Sequence, residues 1–198
     1  ATETTSNILI SALAGAAKTT TLVEIMSALP KTSGLCLAFN KRIADEMREK
    51  CPPNFKSQTL NSIGHGAWAD ACGKKVKLDA RKNYGCLREY IESIPTPKEQ
   101  GEAWESSPFV LRACGMAKSM GHVPDVISST QKCTPMFNDL DMLAALDEEP
   151  SPLETQMIMH VLIASMKLAL EGIIDFDDQL LMPTVFRASF PRYSLVLI

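Results

Sequence analysis

The sequence has 198 residues, of which 45% are hydrophobic and 22% are charged. This is the composition of an ordinary globular domain, and it excludes a disordered or fibrous chain. The formal net charge is −3, but the segment from Lys41 to Lys82 carries ten Lys and Arg against five Asp and Glu, which leaves −8 for the remainder. A basic segment in an acidic chain fits a face that meets a polyanion, although a solvated charged surface explains the count equally well.

The six cysteines and the longest apolar stretch both favour a cytosolic protein. The cysteines form no CxxC pair and have no histidine at zinc-ligand spacing, so we interpret them as reduced thiols. The first residues carry no secretory signal pattern. The apolar stretch from Met157 to Ile174 is interrupted by His160, Ser165, Lys167 and Glu171. These polar groups favour a buried or amphipathic helix over a membrane span.

The first third of the chain alternates between strand and helix patterns. The predicted strands are Asn7–Ser11, Leu35–Phe39 and the short Ser57–Leu60. The predicted helices are Lys18–Leu29, Lys41–Lys50 and about Ile63–Cys72, with Pro30 and Pro52-Pro53 closing the first two. Alternation with short links predicts a parallel sheet with crossover helices.

The pattern changes between about Lys74 and Glu171, where strand signals nearly vanish. Helical stretches broken by Pro95, Pro124 and Pro150 predict a helical insertion. A continuous apolar run then returns at Tyr193–Ile198, as in a parallel strand. We therefore predict an α/β fold in three parts: residues 1–73 as the first part of a nucleotide-binding domain, 74–171 as an inserted helical subdomain, and 172–198 as the return to the sheet.

Residues 12–19, Ala-Leu-Ala-Gly-Ala-Ala-Lys-Thr, follow a predicted strand and open a predicted helix, the context that a phosphate-binding loop requires. Small residues let successive backbone N–H groups point at phosphate oxygens, and the helix N-terminus adds positive charge. The predicted cofactors are ATP and Mg²⁺: Lys18 reaches the β- and γ-phosphates and the Thr19 hydroxyl joins the Mg²⁺ shell, so these two are the predicted catalytic residues. The predicted cradle is Ala14, Gly15, Ala16, Ala17, Lys18, Thr19 and Thr20.

One residue departs from the loop pattern. Ala17 stands where glycine normally precedes the lysine, and its Cβ restricts the backbone and crowds the phosphate path.

Three further segments accompany this loop: Leu37-Ala-Phe-Asn-Lys-Arg-Ile-Ala44, Thr59-Leu-Asn-Ser-Ile-Gly-His-Gly-Ala-Trp68 and Ile174-Asp-Phe-Asp-Asp-Gln-Leu180. Together the four resemble motifs of the UvrD/Rep-type superfamily-one DNA helicases, in particular their phage and bacterial branch. The resemblance covers roughly residues 7–72 and 172–198. It implies a P-loop RecA-like parallel sheet with a large helical insertion, incomplete at its C-terminus. The residues that it implies for single-stranded DNA contact are Phe39, Asn40, Lys41, Thr59, Asn61 and His65.

Each of these segments also has a structural interpretation. Phe39 could be core, and the Thr59–His65 segment could cap the following helix through Asn61 or Ser62. Trp68 is more often a core residue than a base-stacking one. The carboxylates of Asp175, Asp177 and Asp178 could bind a metal, but a helix start rich in acids explains them as well. The basic residues Lys74, Lys75, Lys77, Arg81 and Lys82 could follow a phosphate backbone or lie in a solvated loop.

In the helicases that the chain resembles, an Asp-Glu-Ala-Gln motif follows the strand that Tyr193–Ile198 resembles, and a second motor domain supplies arginines to the γ-phosphate. Neither is within these 198 residues. We therefore expect the N-terminal ATP- and single-stranded-DNA-binding portion of an ATP-dependent DNA helicase, deficient in hydrolysis by itself. The alternatives are a non-catalytic P-loop module that binds DNA, nucleotide or a protein partner, and a small P-loop kinase. We expect no membrane partner and a cytoplasmic location in a bacterial or phage-infected cell.

Overall fold

The computed structural model describes residues 7–11, 13 and 15–198. Strands and helices follow one another in the order α1 (Lys18–Ser27), β1 (Gly34–Ala38), α2 (Lys41–Lys50), β2 (Phe55–Thr59), α3 (Leu60–Cys72), β3 (Lys77–Leu78), α4 (Lys82–Ser93), α5 (Pro97–Ser119), α6 (Asp125–Ser128), α7 (Asp139–Ala144), α8 (Pro152–Leu170), β4 (Ile173–Ile174), α9 (Asp178–Val185) and β5 (Leu195–Leu197). The fold is mixed α/β, with a small parallel sheet and many helices, and it is compatible with a P-loop-like fold.

The chain divides into two compact units. The first comprises the chain up to Ile63 together with Pro191–Ile198 and is called the sheet unit here. The second comprises Gly64–Phe190 and is called the helical unit. The domain boundaries that were inferred from the sequence at residues 73 and 171 stay a prediction.

The sheet unit contains a three-stranded parallel sheet in the order β2-β1-β5. The apolar run of β1 is buried because it is the central strand, with a neighbour on each edge. Cys36 of β1 packs with Met26 of α1, Met47 of α2 and Phe55 of β2 in one hydrophobic cluster. Gly34 of β1 is paired with Phe55 of β2, and any Cβ at Gly34 would overlap the Phe55 ring. Position 34 therefore requires glycine.

The prediction of a buried strand at Asn7–Ser11 is wrong. These residues belong to no strand and all are exposed, with Leu9 at 94%. The physical reason is that an apolar run becomes a buried strand only where it pairs with a neighbouring strand and its faces are covered by other elements. Asn7–Ser11 pairs with none of the strands of the sheet, which has the order β2-β1-β5.

The helical unit is built around α8. The helix starts at a capping box, in which the Ser151 side chain accepts from the Glu154 backbone N–H and the Glu154 carboxylate accepts from the Ser151 N–H. Its buried positions enter two hydrophobic clusters: Met157, Ile158, Val161 and Leu162 pack with α4 and α5, and Met166 and Ala169 pack with α3 and α9. Among the described residues, α8 is the one helix long and apolar enough to span a membrane, with a mean hydropathy of 1.2. Its apolar side chains form the core of the unit.

The prediction that Trp68 belongs to the core is confirmed. Its side chain is 5% exposed, its ring lies 5.5 Å from that of Phe186, and its indole N–H donates to the Ala169 carbonyl. A buried indole needs such an acceptor, so this bond fixes α3 against the end of α8.

Candidate functional site

The predicted phosphate loop leads directly into α1. Gly15 has φ 79° and Ala17 has φ 53°, so both lie in the left-handed region. Ala14 lies outside the described residues, and Gly15, Ala16, Ala17, Lys18, Thr19 and Thr20 are all exposed. A left-handed backbone explains why glycine is the normal residue at position 17, because an L-residue with a Cβ is strained there by about 1–2 kcal/mol.

The loop residues fit an anionic group. Ala17 is the N-cap of α1 and has no polar side chain, so no side chain caps the helix start. The first N–H groups of a helix have no intrahelical partner and suit an anion. The Lys18 ammonium donates to the Leu13 carbonyl at 2.8 Å, which keeps the charge beside the loop. Phosphate oxygens could take the place of that carbonyl, and the Thr19 hydroxyl on the first turn could hold a phosphate-bound Mg²⁺.

Four of the predicted nucleic-acid residues meet at one edge of the sheet. Ala38 of β1 pairs with Thr59 of β2 in parallel, so Phe39, Asn40 and Lys41 emerge at the same carboxyl edge as Thr59. Ligands of parallel sheets bind at this edge. Phe39 is 96% exposed, and the interpretation of Phe39 as a core residue is therefore wrong.

Helix caps explain part of the polar pattern at this edge. The Asn40 side chain accepts from the Ile43 N–H at 2.9 Å and caps α2. The Thr59 hydroxyl accepts from the Ser62 N–H at 3.2 Å, so Thr59, rather than Asn61 or Ser62, caps α3. Asn61 is half-buried. The two caps involve Asn40 and Thr59, whereas Phe39 and Lys41 are exposed at the same edge.

His65 lies on α3 within the helical unit and contacts a residue that the sequence did not single out. Its ring nitrogen Nδ1 is 3.3 Å from Nε2 of Gln179. Gly64 makes this approach feasible, since a Cβ there would overlap the backbone carbonyl of Gln179. The Gln179 residue stood within the Asp-Phe-Asp-Asp-Gln segment, but nothing in its local pattern indicated a histidine as partner.

The carboxylates of Asp175 and Asp178 belong to a buried ion network with Lys82 and Lys118. Lys82 bonds to Asp178 and to the Ser165 carbonyl. The Lys118 ammonium lies 2.5 Å from Asp175 and 2.9 Å from Asp178, and it donates to the Ser165 hydroxyl. The two lysines balance the two carboxylates, as buried charges require.

The pKa values in the network follow from burial and pairing. Burial lowers the pKa of Lys82, and its partners do not offset that effect. For Lys118, burial acts in the same direction, but Asp178 and Asp175 outweigh it and raise the pKa. Burial raises the pKa of Asp175, yet Lys118 and Lys82 together hold it below its ordinary value.

The network corrects two interpretations from the sequence. Within residues 7–11, 13 and 15–198, no cluster of His, Cys, Asp and Glu is arranged to hold a metal ion, and Asp175 and Asp178 pair with lysines. Lys82 is 3% exposed and so cannot follow a phosphate backbone. Lys74, Lys75, Lys77 and Arg81 are exposed, as a backbone contact or a solvated loop would require.

Comparison with known proteins gives a partial match. No protein-family profile matches the chain. The chain is 31% identical over 94 residues to F-box DNA helicase 1 of Gallus gallus, a stretch that covers 48% of this chain and 9% of that helicase. The chain therefore corresponds to about a tenth of the length of the curated relative that it matches. This similarity supports a helicase-like relationship for part of the chain.

Proposed function

We propose that this chain is the N-terminal ATP- and single-stranded-DNA-binding portion of an ATP-dependent DNA helicase of the UvrD/Rep type. The observation that carries the proposal is the loop-to-helix arrangement at residues 15–20. Left-handed residues deliver Lys18 and Thr19 to the exposed first turn of α1. The partial similarity to a DNA helicase supports the same conclusion.

The nucleotide part of the proposal rests on charge and backbone geometry. The helix N-terminus and the Lys18 ammonium would together stabilise the triphosphate, with Thr19 on the Mg²⁺ ion. Phosphoryl transfer depends on positioning water and stabilising charge. Lys18 and Thr19 supply no base for that water, so we propose that this chain alone binds ATP with little turnover.

The DNA part of the proposal rests on the carboxyl edge of the sheet. An aromatic ring that is exposed beside a lysine fits a base on a phosphate backbone, because stacking and charge act on the same nucleotide. Phe39 and Lys41 offer this pair, flanked by Asn40 and Thr59. The excess positive charge between Lys41 and Lys82 would add a salt-dependent attraction.

A second candidate is a non-catalytic P-loop module that binds DNA, nucleotide or a protein partner. The strained backbone of Ala17 favours it, since a Cβ at φ 53° weakens a loop that glycine would form without strain. The two candidates differ in how strongly the loop holds nucleotide.

Equilibrium binding of a fluorescent ATP analogue in the presence of Mg²⁺ tests the proposal. We expect the Lys18→Ala variant to bind about tenfold to a hundredfold more weakly than the unmodified chain, because a charge-assisted contact to phosphate is lost. Lys31→Ala is the matched control, because it removes an exposed lysine elsewhere in the sheet unit. Equal affinity of the Lys18→Ala variant and the unmodified chain would overturn the proposal.

The Ala17→Gly variant separates the two candidates in the same assay. If ATP binding requires that substitution, the non-catalytic module is favoured. If both chains bind equally, the helicase portion is favoured and Ala17 is tolerated.

A further inference from the structure

Gln179 is almost completely buried, yet its side chain has a defined polar contact. It is 6% exposed, and its Nε2 lies 3.3 Å from Nδ1 of His65. Its carbonyl oxygen Oε1 has no hydrogen-bond partner among the described residues. The contact to His65 is therefore the interaction that sets the orientation of this amide.

The buried ion network fixes the backbone from which Gln179 projects. The Asp175 and Asp178 carboxylates accept from each other's backbone N–H at 3.0 and 2.9 Å, which rigidifies the first turn of α9. Lys82 and Lys118 hold both carboxylates. Gly64 has no side chain, and α3 can therefore lie close to the backbone carbonyl of Gln179. His65 and Gln179 are thus brought together by two constrained backbone segments of the helical unit.

The amide group can point towards the ring in only one favourable way. With Nε2 towards His65, the groups left unpaired among the described residues are the carbonyl oxygen and one N–H. The reverse orientation would bury an NH₂ group with two unpaired N–H donors, which is the rarer and costlier arrangement. The orientation with Nε2 towards the ring is therefore the stable one.

An amide N–H can only donate, so Nδ1 of His65 must accept. A neutral imidazole that accepts at Nδ1 carries its proton at Nε2. We propose that Gln179 is a positioning residue that holds His65 in the Nε2–H tautomer and so presents an N–H donor to a phosphate oxygen of single-stranded DNA. This inference rests on the proposed function, because it names what one residue of the predicted DNA-contact set offers to its ligand.

The chemistry distinguishes this role from simple core packing. A packing residue could be replaced by an apolar side chain of similar volume without effect on the proton of His65. A positioning residue could not, because the acceptor role of Nδ1 depends on the amide donor. An acceptor at position 179 would instead draw the proton to Nδ1 and leave Nε2 without a proton to donate.

Nitrogen-15 NMR of the His65 ring in the full chain tests the assignment, with the His65→Gln variant identifying its signals among the three histidines. In the neutral ring we expect a protonated-type shift for Nε2 and a lone-pair-type shift for Nδ1. In Gln179→Glu, the Nδ1 signal should become protonated. In Gln179→Met, which keeps the volume and removes the donor, the single-tautomer signature should be lost, and this variant serves if the buried carboxylate prevents folding.

Gln156→Glu is the matched control, because it makes the same chemical change at an exposed position of the helical unit. We expect its His65 signals to match the unmodified chain. A wild-type ring protonated at Nδ1 would overturn the inference. Unchanged signals in both position-179 variants would overturn it as well.

Affinity for a fluorescent oligothymidylate separates this inference from the proposed function. We expect Gln179→Glu to bind about tenfold to a hundredfold more weakly, as for loss of one hydrogen bond to a charged group, and Gln156→Glu to bind normally. If the tautomer shifts but affinity does not, the phosphate contact of His65 is overturned. If the unmodified chain fails to bind DNA while its tautomer is as assigned, the proposed function fails and the positioning of His65 stands.

Discussion

The two regions richest in charged and polar motif residues are built in opposite ways. In the helical unit, Asp175 and Asp178 are buried and form ion pairs with Lys82 and Lys118. In the sheet unit, Lys18 and Phe39 are exposed, at a helix start and at a strand end. A buried, paired group contributes to stability, whereas an exposed one remains accessible to a ligand. The contrast indicates that acidic motif residues such as Asp175 support the structure, whereas the residues proposed for binding are exposed.

The largest effect should come from removing one cation of the buried ion network. Lys118→Met leaves two buried carboxylates with one counter-charge, so we expect a loss of about 3–5 kcal/mol in the free energy of unfolding. Both tryptophans of the chain lie in the helical unit, so urea unfolding followed by their fluorescence measures this loss.

Lys98→Met is the matched control for that variant. Lys98 pairs with Glu102 on the surface, where both side chains are more than half exposed, so we expect a change of less than about 0.5 kcal/mol. If the two variants are equally stable, the network does not contribute as the buried geometry indicates.

Lowering the pH should also reduce the free energy of unfolding, because it protonates carboxylates of the same ion network. The folded-state pKa of Asp175 is below its ordinary value, so its stabilisation is complete above the unfolded-state pKa of about 3.9 and is lost as the pH falls through the lower folded-state value. Asp177 acts in the opposite direction, since burial raises its pKa. We therefore compare the free energy of unfolding of Asp175→Asn and of the unmodified chain between pH 6 and pH 3. This range includes the unfolded-state pKa of about 3.9. The free energy of unfolding should depend less on pH in the variant. Identical slopes for the two chains would contradict the lowered pKa of Asp175.

At the exposed sheet edge, a substitution should affect binding but not folding. Phe39→Ala removes a ring that is 96% exposed, so we expect an unchanged free energy of unfolding. The affinity for single-stranded oligothymidylate should fall by about 1–3 kcal/mol, the contribution of stacking on one base. Fluorescence anisotropy measures it, with Leu140→Ala, an exposed apolar residue of the helical unit, as control. Unchanged affinity would remove Phe39 from the DNA-contact set.

The smallest effect is expected at the strained loop residue. Ala17→Gly relieves a left-handed backbone at φ 53°, which we expect to stabilise the start of α1 by up to about 1 kcal/mol. Ala28→Gly, at the other end of the same helix with φ −72°, should be neutral or slightly destabilising. Amide hydrogen exchange along α1 compares the two variants. Faster exchange in Ala17→Gly than in the unmodified chain would contradict backbone strain at Ala17.

The elements that could be predicted from the sequence have their signals nearby in the chain. Helix α2 was predicted at Lys41–Lys50 and is confirmed there, because Asn40 caps its start and Pro52 follows its end. Strand β1 was predicted within one residue of its bounds, since its apolar run is continuous. The start of α1 at Lys18 likewise follows from the small-residue loop before it.

The features that could not be predicted depend on distant partners. Asp178 pairs with Lys82, which is 96 residues away, and His65 meets Gln179 across 114 residues. No local pattern distinguishes such an aspartate from a metal ligand. The failure at Asn7–Ser11 has the same origin, because burial of a strand depends on its pairing with strands from elsewhere in the chain. The roles predicted for Lys18, Thr19 and the sheet-edge residues stay predictions.

Helix α8 has a consequence for how the helical unit opens. A single rigid rod supplies side chains to both hydrophobic clusters, Met157 and Val161 at one end and Met166 and Ala169 at the other. Because a helix propagates cooperatively, unravelling one end removes support from the other. The two clusters should therefore behave as one cooperative folding unit, in which a fluctuation large enough to expose either exposes both.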